Sequence, residues 1–247
     1  PLINAREEYD RPDIRLPRAQ SALLDAVCEK NPNTVLYLVT GYPYSITEER
    51  EKAGAVLCST HLGPCLGHVA AETLFGENNP AGRTPTTWYR SIRDLPALDD
   101  YDIMKNRTTY LYFDGKPLYP FGYGLSYTTF EQTLDSVEVG EDTVTVTVTV
   151  TNTGSVAGKD VVQVYFNPPY TDGGIEKASA NLVTFGKTDS IEPGASQTLT
   201  LTFNTEDMAS FDSKDKGCYV LEEGDYIISI NEDSHTVLDL SLIHISE

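Results

Sequence analysis

The stretch TVTVTVTVTN, residues 143–152, decides the fold, because threonine and valine alternate strictly from residue 143 to residue 151. Successive side chains of a β-strand point to opposite faces, so this pattern places all of the valines on one face and the threonines on the other. Both residue types are β-branched and favour strands. The stretch therefore predicts a strand with one buried and one solvated face, as in an antiparallel sheet.

Further short strands are predicted after it, and turn clusters such as EPG (192–194) and EEGD (222–225) separate them. Their sequences are DVVQVYF, SQTLTLTF, CYVLE and DYIISI. Several such strands within about a hundred residues predict an all-β sandwich of the immunoglobulin or fibronectin III type. We assign this predicted domain to residues 130–247.

The first part of the chain, residues 1–89, has the pattern of an α/β domain. Helices are predicted at residues 17–31 and at LGHVAAETLFGEN, and strands at residues 34–40 and at AGAVLCST. This order predicts a parallel sheet covered by helices. The apolar face of the first helix is predicted to consist of Ala19, Leu23, Ala26 and Val27.

Ligands of parallel sheets bind beyond the carboxyl ends of the strands, here near Gly41-Tyr42 and Thr60-His61. Residues 90–129 fit neither pattern and are rich in tyrosine and phenylalanine. A flexible linker would be rich in glycine, serine or charge. We therefore predict an aromatic connector packed along both domains; the alternative is that one or two of its rings form a platform for a sugar.

The composition excludes several classes of partner. Thirty-seven acidic residues against 18 basic ones give a formal net charge of -19. Such a surface repels phosphate backbones and anionic lipids, so neither nucleic acid nor a membrane is expected as a partner, whereas a neutral sugar is unaffected. The sequence has neither a membrane-length apolar run nor a signal-peptide pattern. Its four cysteines form no disulfide framework, which slightly favours a cytoplasmic location.

A zinc site is one candidate, because Cys58, His61, Cys65 and His68 are zinc-competent residues at close spacing. However, zinc fingers place a long loop between their ligand pairs, and Cys58 lies in a strand predicted to be buried. We therefore predict no metal site. No nucleotide-binding loop or G-x-S-x-G motif is present, and no cofactor is predicted.

Carboxylates remain as the candidate catalytic groups. Glu7 and Glu8 lie in AREEYDR (5–11), directly before the first predicted helix. A carboxylic acid at this place could act as a general acid/base if its pKa were raised. Two glutamates in a loop are more often solvated surface, and the residues alone leave both interpretations open.

The order of four longer segments resembles the C-terminal half of glycoside hydrolase family 3. They are NPNTVLYLVTGYPYSI, LFGENNPAGRTPTTWY, PLYPFGYGLSYTTFE and VTVTNTGSVAGKDVVQVYF. The resemblance implies a (β/α)8 barrel, an α/β sandwich domain and a fibronectin III-like domain in the family. This chain resembles the end of the second domain and the whole of the third.

The resemblance also implies residue roles. The family carries E-G-x-D-R before a helix, and its glutamate is the general acid/base. Glu7 matches that glutamate, while Glu8 replaces the glycine and is the fallback candidate. Asp10 and Arg11 would hold the loop by an ion pair. The family's nucleophile is an aspartate on the barrel, which this chain does not contain. GPCLG (63–67) departs from the family's G-Q-E-x-G, which weakens the case for substrate contact there.

The implied function is that of a C-terminal fragment of a retaining, exo-acting β-glucosidase or β-xylosidase. DLPALDDYDI (94–103) resembles bacterial members of the family. The substrate would be a β-linked oligosaccharide or glycoside, bound through the missing barrel, and the fragment is expected to be inactive alone. The alternative is a non-catalytic binding or structural module associated with carbohydrate. SLIHISE at the end resembles translated adapter sequence, and the natural chain is expected to end near Leu240.

Overall fold

The structure, a computed structural model, describes residues 11–246. The chain forms two compact units whose segments interleave along the sequence. The α/β unit comprises Pro1–Phe75, described from residue 11, with Thr86–Thr109 and Phe113–Pro120. The sandwich unit comprises Gly76–Pro85, Tyr110–Tyr112 and Phe121–Glu247, described to residue 246.

The α/β unit contains a parallel pair of strands, as the sequence predicts. Val35 lies opposite Ala55 and Val39 opposite Ser59, in an unshifted register. No helix among residues 11–246 is both long and apolar enough to cross a membrane.

In chain order the elements are α1 (Arg18–Lys30), β1 (Val35–Val39), α2 (Glu49–Lys52), β2 (Ala55–Ser59), α3 (Leu66–Leu74) and, ending in the sandwich unit, α4 (Thr109–Tyr112).

The predicted apolar face of α1 is wrong. Leu23 is 66% exposed and Val27 is 41% exposed, whereas Leu24 is the buried residue of this helix. The reason is that polar contacts turn another face towards α2. The Ser21 hydroxyl donates to the Glu49 carboxylate (2.7 Å), and the ammonium of Lys52 pairs with Asp25 of α1 (2.7 Å).

The buried core of the α/β unit is small and draws on distant parts of its sequence. Trp88 packs edge to face against Tyr119, with ring centroids 5.7 Å apart, and backbone hydrogen bonds join the same two residues. The fully buried side chain in the loop after β1 is Ile46. The cluster of buried apolar residues consists of Leu16, Leu38, Ile46, Trp88 and Leu118.

The sandwich unit has the predicted all-β architecture. A four-stranded sheet has the order β11-β10-β5-β6, a three-stranded sheet has the order β3-β4-β7, and all neighbours are antiparallel. A short pair, β8-β9, adds to them. The strands are β3 (Phe130–Val139), β4 (Thr143–Asn152), β5 (Val161–Asn167), β6 (Asn181–Lys187), β7 (Ser196–Asn204), β8 (Ser210–Phe211), β9 (Tyr219–Val220), β10 (Gly224–Asp233) and β11 (Thr236–Ile245).

Strand β4 confirms the prediction made from its alternation. Its four valines, Val144, Val146, Val148 and Val150, are fully buried between the sheets. The outward threonines pair with hydroxyl side chains of β7 at 2.8–3.1 Å. The β4–β7 register runs from the first pair to the last without a shift, whereas the β3–β4 register shifts at Asp135, between Leu134 and Ser136.

Two of the segments that carry the family resemblance pack within the sandwich unit. Arg83 of the NPAGR string forms a buried ion pair with Asp160 (2.5 Å). Asn79 donates to the Ala157 carbonyl (3.0 Å), and its side-chain oxygen accepts from the Ser126 hydroxyl (2.9 Å). A side chain at Gly124 would collide with the carbonyl of Gly82. These motif residues therefore hold the two segments together and attach one of them to the loop between β4 and β5.

The aromatic residues of the predicted connector divide between the two units. Tyr89 packs edge to face on Phe113 within the α/β unit, with ring centroids 5.0 Å apart. Within the sandwich unit, Tyr110 stacks on Phe121 at 4.3 Å and meets the ring of Tyr165 at 6.4 Å. These rings thus serve as packing groups inside each unit.

Candidate active site

The carboxyl ends of β1 and β2 lie side by side, as parallel strands require. The Thr40 amide donates to the Ser59 carbonyl (2.9 Å), and the hydroxyls of Tyr37 and Ser59 are 2.7 Å apart. Gly41-Tyr42 and Thr60-His61 therefore leave the sheet at the same edge. This is the edge at which the sequence predicts a ligand.

The segment before α1 runs along the loop that follows β1. The Ser45 amide donates to the Ile14 carbonyl (2.8 Å), and Arg15 and Ser45 form an isolated parallel bridge. Further towards the N-terminus, the Nη2 of Arg11 donates to the Pro43 carbonyl (3.0 Å). The peptide that leads into α1 is thus fixed to the carboxyl edge of β1 at several points.

Arg11 lies against two aromatic rings of that loop. Its guanidinium carbon is 3.9 Å from the ring centroid of Tyr42 and 4.8 Å from that of Tyr44. The two rings are 5.4 Å apart and inclined by 60°. Cations over aromatic faces are attracted by the ring quadrupole, by about 0.5–2 kcal/mol. We call these three residues the Tyr42–Arg11–Tyr44 cluster.

Not every polar atom of this cluster has a hydrogen-bond partner among the described residues. The Nη1 of Arg11 is buried and has no hydrogen-bond partner among the described residues. Burial, followed by the hydrogen bond with Tyr42, raises the pKa of the Tyr44 phenol to about 12, although the nearby charge of Arg11 opposes this rise. The phenol therefore stays neutral at physiological pH, and the cluster carries the single positive charge of Arg11.

A cavity of about 850 Å³ lies next to the cluster, within the α/β unit. Its walls include Arg11 and Tyr44, so it opens beside the segment that precedes α1. The walls carry charges of both signs, partly neutralised by ion pairs between wall residues. The charged lining residues are Arg11, Arg15, Arg18, Lys52, Arg90 and Arg93, with Asp13, Asp25, Glu48 and Glu49.

Three of the predicted site residues, Glu7, Glu8 and Asp10, lie outside the described residues, so their predicted roles stay predictions. The fourth, Arg11, is placed at the predicted edge of the sheet. Sequence reasoning missed Tyr42 and Tyr44 as its contacts. The available signal was the string TGYPY directly after a buried strand, because it exposes two rings where parallel strands collect functional groups.

The candidate zinc residues do not converge in the part of the chain that the structure describes. The ring of His68 in α3 pairs with Glu72 of the same helix (3.1 Å). Cys58 and Cys65 are exposed, so the prediction that Cys58 is buried is wrong. The reason is that few described residues of this unit cover the faces of the two-stranded sheet, so the side chain of Cys58 stays in solvent. No group of three metal-binding side chains occurs among residues 11–246.

The exposed aromatic pair on β8 and β9 of the sandwich unit does not form a flat platform for sugar. Phe211 and Tyr219 are neighbours on β8 and β9, but their rings are inclined by 70° with centroids 5.3 Å apart. A sugar ring stacks on one flat face, so a tilted pair offers a poor platform. Tyr165 and Tyr226, by contrast, are buried in the unit.

Comparison with known protein families gives two adjacent matches. The family model described as the glycosyl hydrolase family 3 C-terminal domain matches residues 2–127. The model described as a fibronectin type III-like domain matches residues 160–234. The first match includes the segment before α1, both strands of the parallel pair and the aromatic region.

Comparison with individual proteins agrees with these matches. A β-glucosidase of Kluyveromyces marxianus is 32% identical over 95% of this chain and 29% of its own length. A xylan 1,4-β-xylosidase of Xylanibacter ruminicola is 35% identical over 83% of this chain and 23% of its own. The crystal structure of the Kluyveromyces marxianus β-glucosidase in complex with glucose superposes with a TM-score of 0.89 at 30% identity, covering 99% of this chain and 31% of that one. The chain thus spans less than a third of the length of each of these proteins.

Proposed function

Because the chain belongs to glycosyl hydrolase family 3 through its C-terminal domain, we propose that it is the C-terminal part of a retaining, exo-acting β-glycosidase. In this proposal Glu7 supplies the general acid/base of the reaction, with Glu8 as the fallback. The nucleophile belongs to a barrel domain that this chain lacks. The substrate is a β-linked glucoside or xyloside, since similar proteins are named as β-glucosidases and as a xylosidase.

The observation that carries the proposal is the fixed position of Arg11 at the carboxyl edge of β1. Arg11 follows Glu7 by four residues, and four residues span at most roughly 14 Å. In this proposal the catalytic glutamate is the fourth residue before that anchor and acts near the edge where ligands of parallel sheets bind. A solvated turn would not need an anchor of two rings and a hydrogen bond.

The proposed chemistry divides between two carboxyl groups on opposite sides of the glycosidic bond, roughly 5–5.5 Å apart in retaining enzymes. The nucleophile attacks the anomeric carbon while protonated Glu7 donates its proton to the leaving oxygen. Glu7, now a carboxylate, then removes a proton from water, which hydrolyses the glycosyl-enzyme. Since one of the two groups is missing, the isolated chain is expected to be inactive.

The test is Glu7→Gln in the complete enzyme. Natural disaccharides are poor leaving groups and should lose roughly 10²–10⁴ in turnover, the usual contribution of a positioned acid/base. Aryl glycosides with acidic phenols need little protonation, so their first step should change much less. Azide should then restore turnover, because it attacks the glycosyl-enzyme without a general base.

Glu8→Gln is the matched control, since it makes the same change one residue away. It should behave like the wild type with both classes of substrate. If Glu8→Gln shows the leaving-group dependence and the azide rescue instead, the acid/base is Glu8. If neither variant shows them, this segment does not supply the acid/base.

A second candidate function is that of a carbohydrate-associated binding module without catalysis. The tilted pair Phe211 and Tyr219 argues against a stacking platform on the sandwich unit. Binding of the chain to insoluble cellulose or xylan in a pull-down would favour this candidate. Absence of binding together with the Glu7→Gln result would exclude it.

A further inference from the structure

We propose that the Tyr42–Arg11–Tyr44 cluster positions the acid/base loop, so that Tyr42 and Tyr44 are positioning residues of the reaction. This inference rests on the proposed function of Glu7. The cluster itself touches no reacting atom in this proposal. It acts through the peptide that connects Arg11 with the glutamate four residues earlier.

The first step of the argument is that the loop presenting the two rings is itself held in place. The Thr40 hydroxyl donates to the Tyr42 carbonyl (2.8 Å) and accepts from the Tyr42 amide (3.2 Å), which closes the turn directly after β1. At its other end, the hydroxyls of Ser45 and Thr47 donate to the Arg90 carbonyl, and the side chain of Ile46 is fully buried. The rings thus project from a support anchored on both sides.

The second step concerns the geometry of the Arg11 contacts. A guanidinium that faces two inclined rings and donates to the carbonyl between them is constrained in position and in orientation. An ammonium group could occupy the same place but could not present the same planar face. The contacts therefore require arginine and aromatic rings together, and charge alone would not reproduce them.

The third step is that a positioned acid must lie within hydrogen-bond reach of the leaving oxygen. Misplacement of a catalytic group by about 1 Å costs up to roughly 10²-fold in rate. Loosening the anchor at Arg11 is therefore expected to impair protonation of the leaving group selectively. Binding of the glycone, which involves other groups, should change little.

The test uses Arg11→Met and Tyr42→Leu in the complete enzyme, with disaccharides and with aryl glycosides of acidic phenols. Turnover of disaccharides should fall roughly 10–10²-fold, whereas turnover of the aryl glycosides should fall by less than about threefold, with KM nearly unchanged. Azide should rescue part of any loss in the second step. Tyr42→Phe keeps the ring face and should turn over both classes of substrate like the wild type, whereas Tyr42→Leu should show the leaving-group dependence.

Arg107→Met is the control, because it removes an arginine of the same unit whose side chain is exposed and paired with the exposed Asp114. It should affect neither class of substrate. A purely structural contribution of Arg11 would reduce the amount of active enzyme and lower both classes equally, and that result would overturn the inference. If Arg11→Met fails to fold, the comparison of Tyr42→Leu with Tyr42→Phe decides, since Tyr42 is partly exposed.

The result for Glu7→Gln separates the two ideas. If Glu7→Gln shows the leaving-group dependence but Arg11→Met and Tyr42→Leu do not, the cluster is not a positioning device and the proposed function stands. If Glu7→Gln lacks the dependence, the proposed function fails first. The inference is supported only if Glu7→Gln and the two cluster variants, Arg11→Met and Tyr42→Leu, all show the leaving-group dependence.

Discussion

The two units bury apolar residues to very different extents. Among residues 11–246, the sandwich unit has a core cluster of 15 buried residues, whereas the corresponding cluster of the α/β unit has five. Large apolar side chains are exposed in both units, among them Phe75 (84%) and Leu242 (63%), so the difference lies in the buried cores. Since burial of apolar surface is the dominant favourable term in folding, the sandwich unit should supply most of the stability of the chain.

The difference follows from how each type of structure covers its faces. Two antiparallel sheets with period-2 patterns bury their valines and isoleucines against each other and need no further layer. A parallel sheet needs helices on both faces. The described part of the α/β unit has two strands and few helices to cover them, so its apolar residues remain partly exposed.

The largest expected effect comes from placing a charge in the larger core. Val148→Asp buries an unpaired carboxylate at a fully buried position and should destabilise the sandwich unit by more than about 4 kcal/mol. Urea unfolding followed by circular dichroism would measure it. Thr147→Asp, on the outward face, and Leu23→Asp in α1 should each cost less than about 1 kcal/mol. A similar loss for Leu23→Asp would contradict the comparison of the two units.

A smaller effect is expected for the ion pairs of the two units. Arg83→Met leaves the buried Asp160 without its cation and should cost about 3 kcal/mol. Arg107→Met removes an exposed pair of the α/β unit and should cost less than about 0.5 kcal/mol. Denaturant unfolding of both variants gives the comparison. Part of the loss should return in the Arg83→Met/Asp160→Asn double variant; equal losses for the two single variants would refute the distinction.

The smallest expected effect is a decrease of the free energy of unfolding at alkaline pH. Burial raises the pKa of Tyr165 and of Tyr226 above the ordinary value of 10.0. In the folded state these phenols keep their protons when the unfolded chain has lost them, so their contribution is present below pH 10 and is lost as the pH rises towards the folded pKa.

As the pH rises above 10, each such group should progressively lower the free energy of unfolding. Urea unfolding at several pH values would show it as a slope. Tyr165→Phe should flatten that slope, whereas Tyr219→Phe, which changes an exposed ring, should leave it as it is. An unchanged slope in Tyr165→Phe would mean that this phenol does not contribute.

The sandwich was predictable because the alternation of apolar and polar residues in its strands is visible within short stretches of sequence. The alternation in β4 predicts the strand, its buried face and its antiparallel type from ten residues alone, whereas its neighbours β3 and β7 are known from the structure. The parallel pair β1-β2 was predictable in the same way, from two short apolar runs between turn residues.

The buried face of α1 was not predictable, because it depends on polar contacts of Ser21 and Asp25 with a helix more than 20 residues away. The contacts of Arg11 with Tyr42 and Tyr44 have the same character, since they join positions about 30 residues apart. A short sequence window contains no information about such pairs. The resemblance to a family could suggest the role of Glu7, but it did not suggest these partners.

The unshifted register between β4 and β7 has a consequence for insertions and deletions. One added residue in β4 would reverse the direction of every side chain beyond it and expose the valines. Strand β3, on the other side of β4, already accommodates an extra residue at Asp135, whose carboxylate accepts from the Thr149 hydroxyl (2.6 Å). Changes of strand length should therefore be tolerated in β3 and rejected in β4, whereas exchanges of single outward threonines of β4 should cost much less.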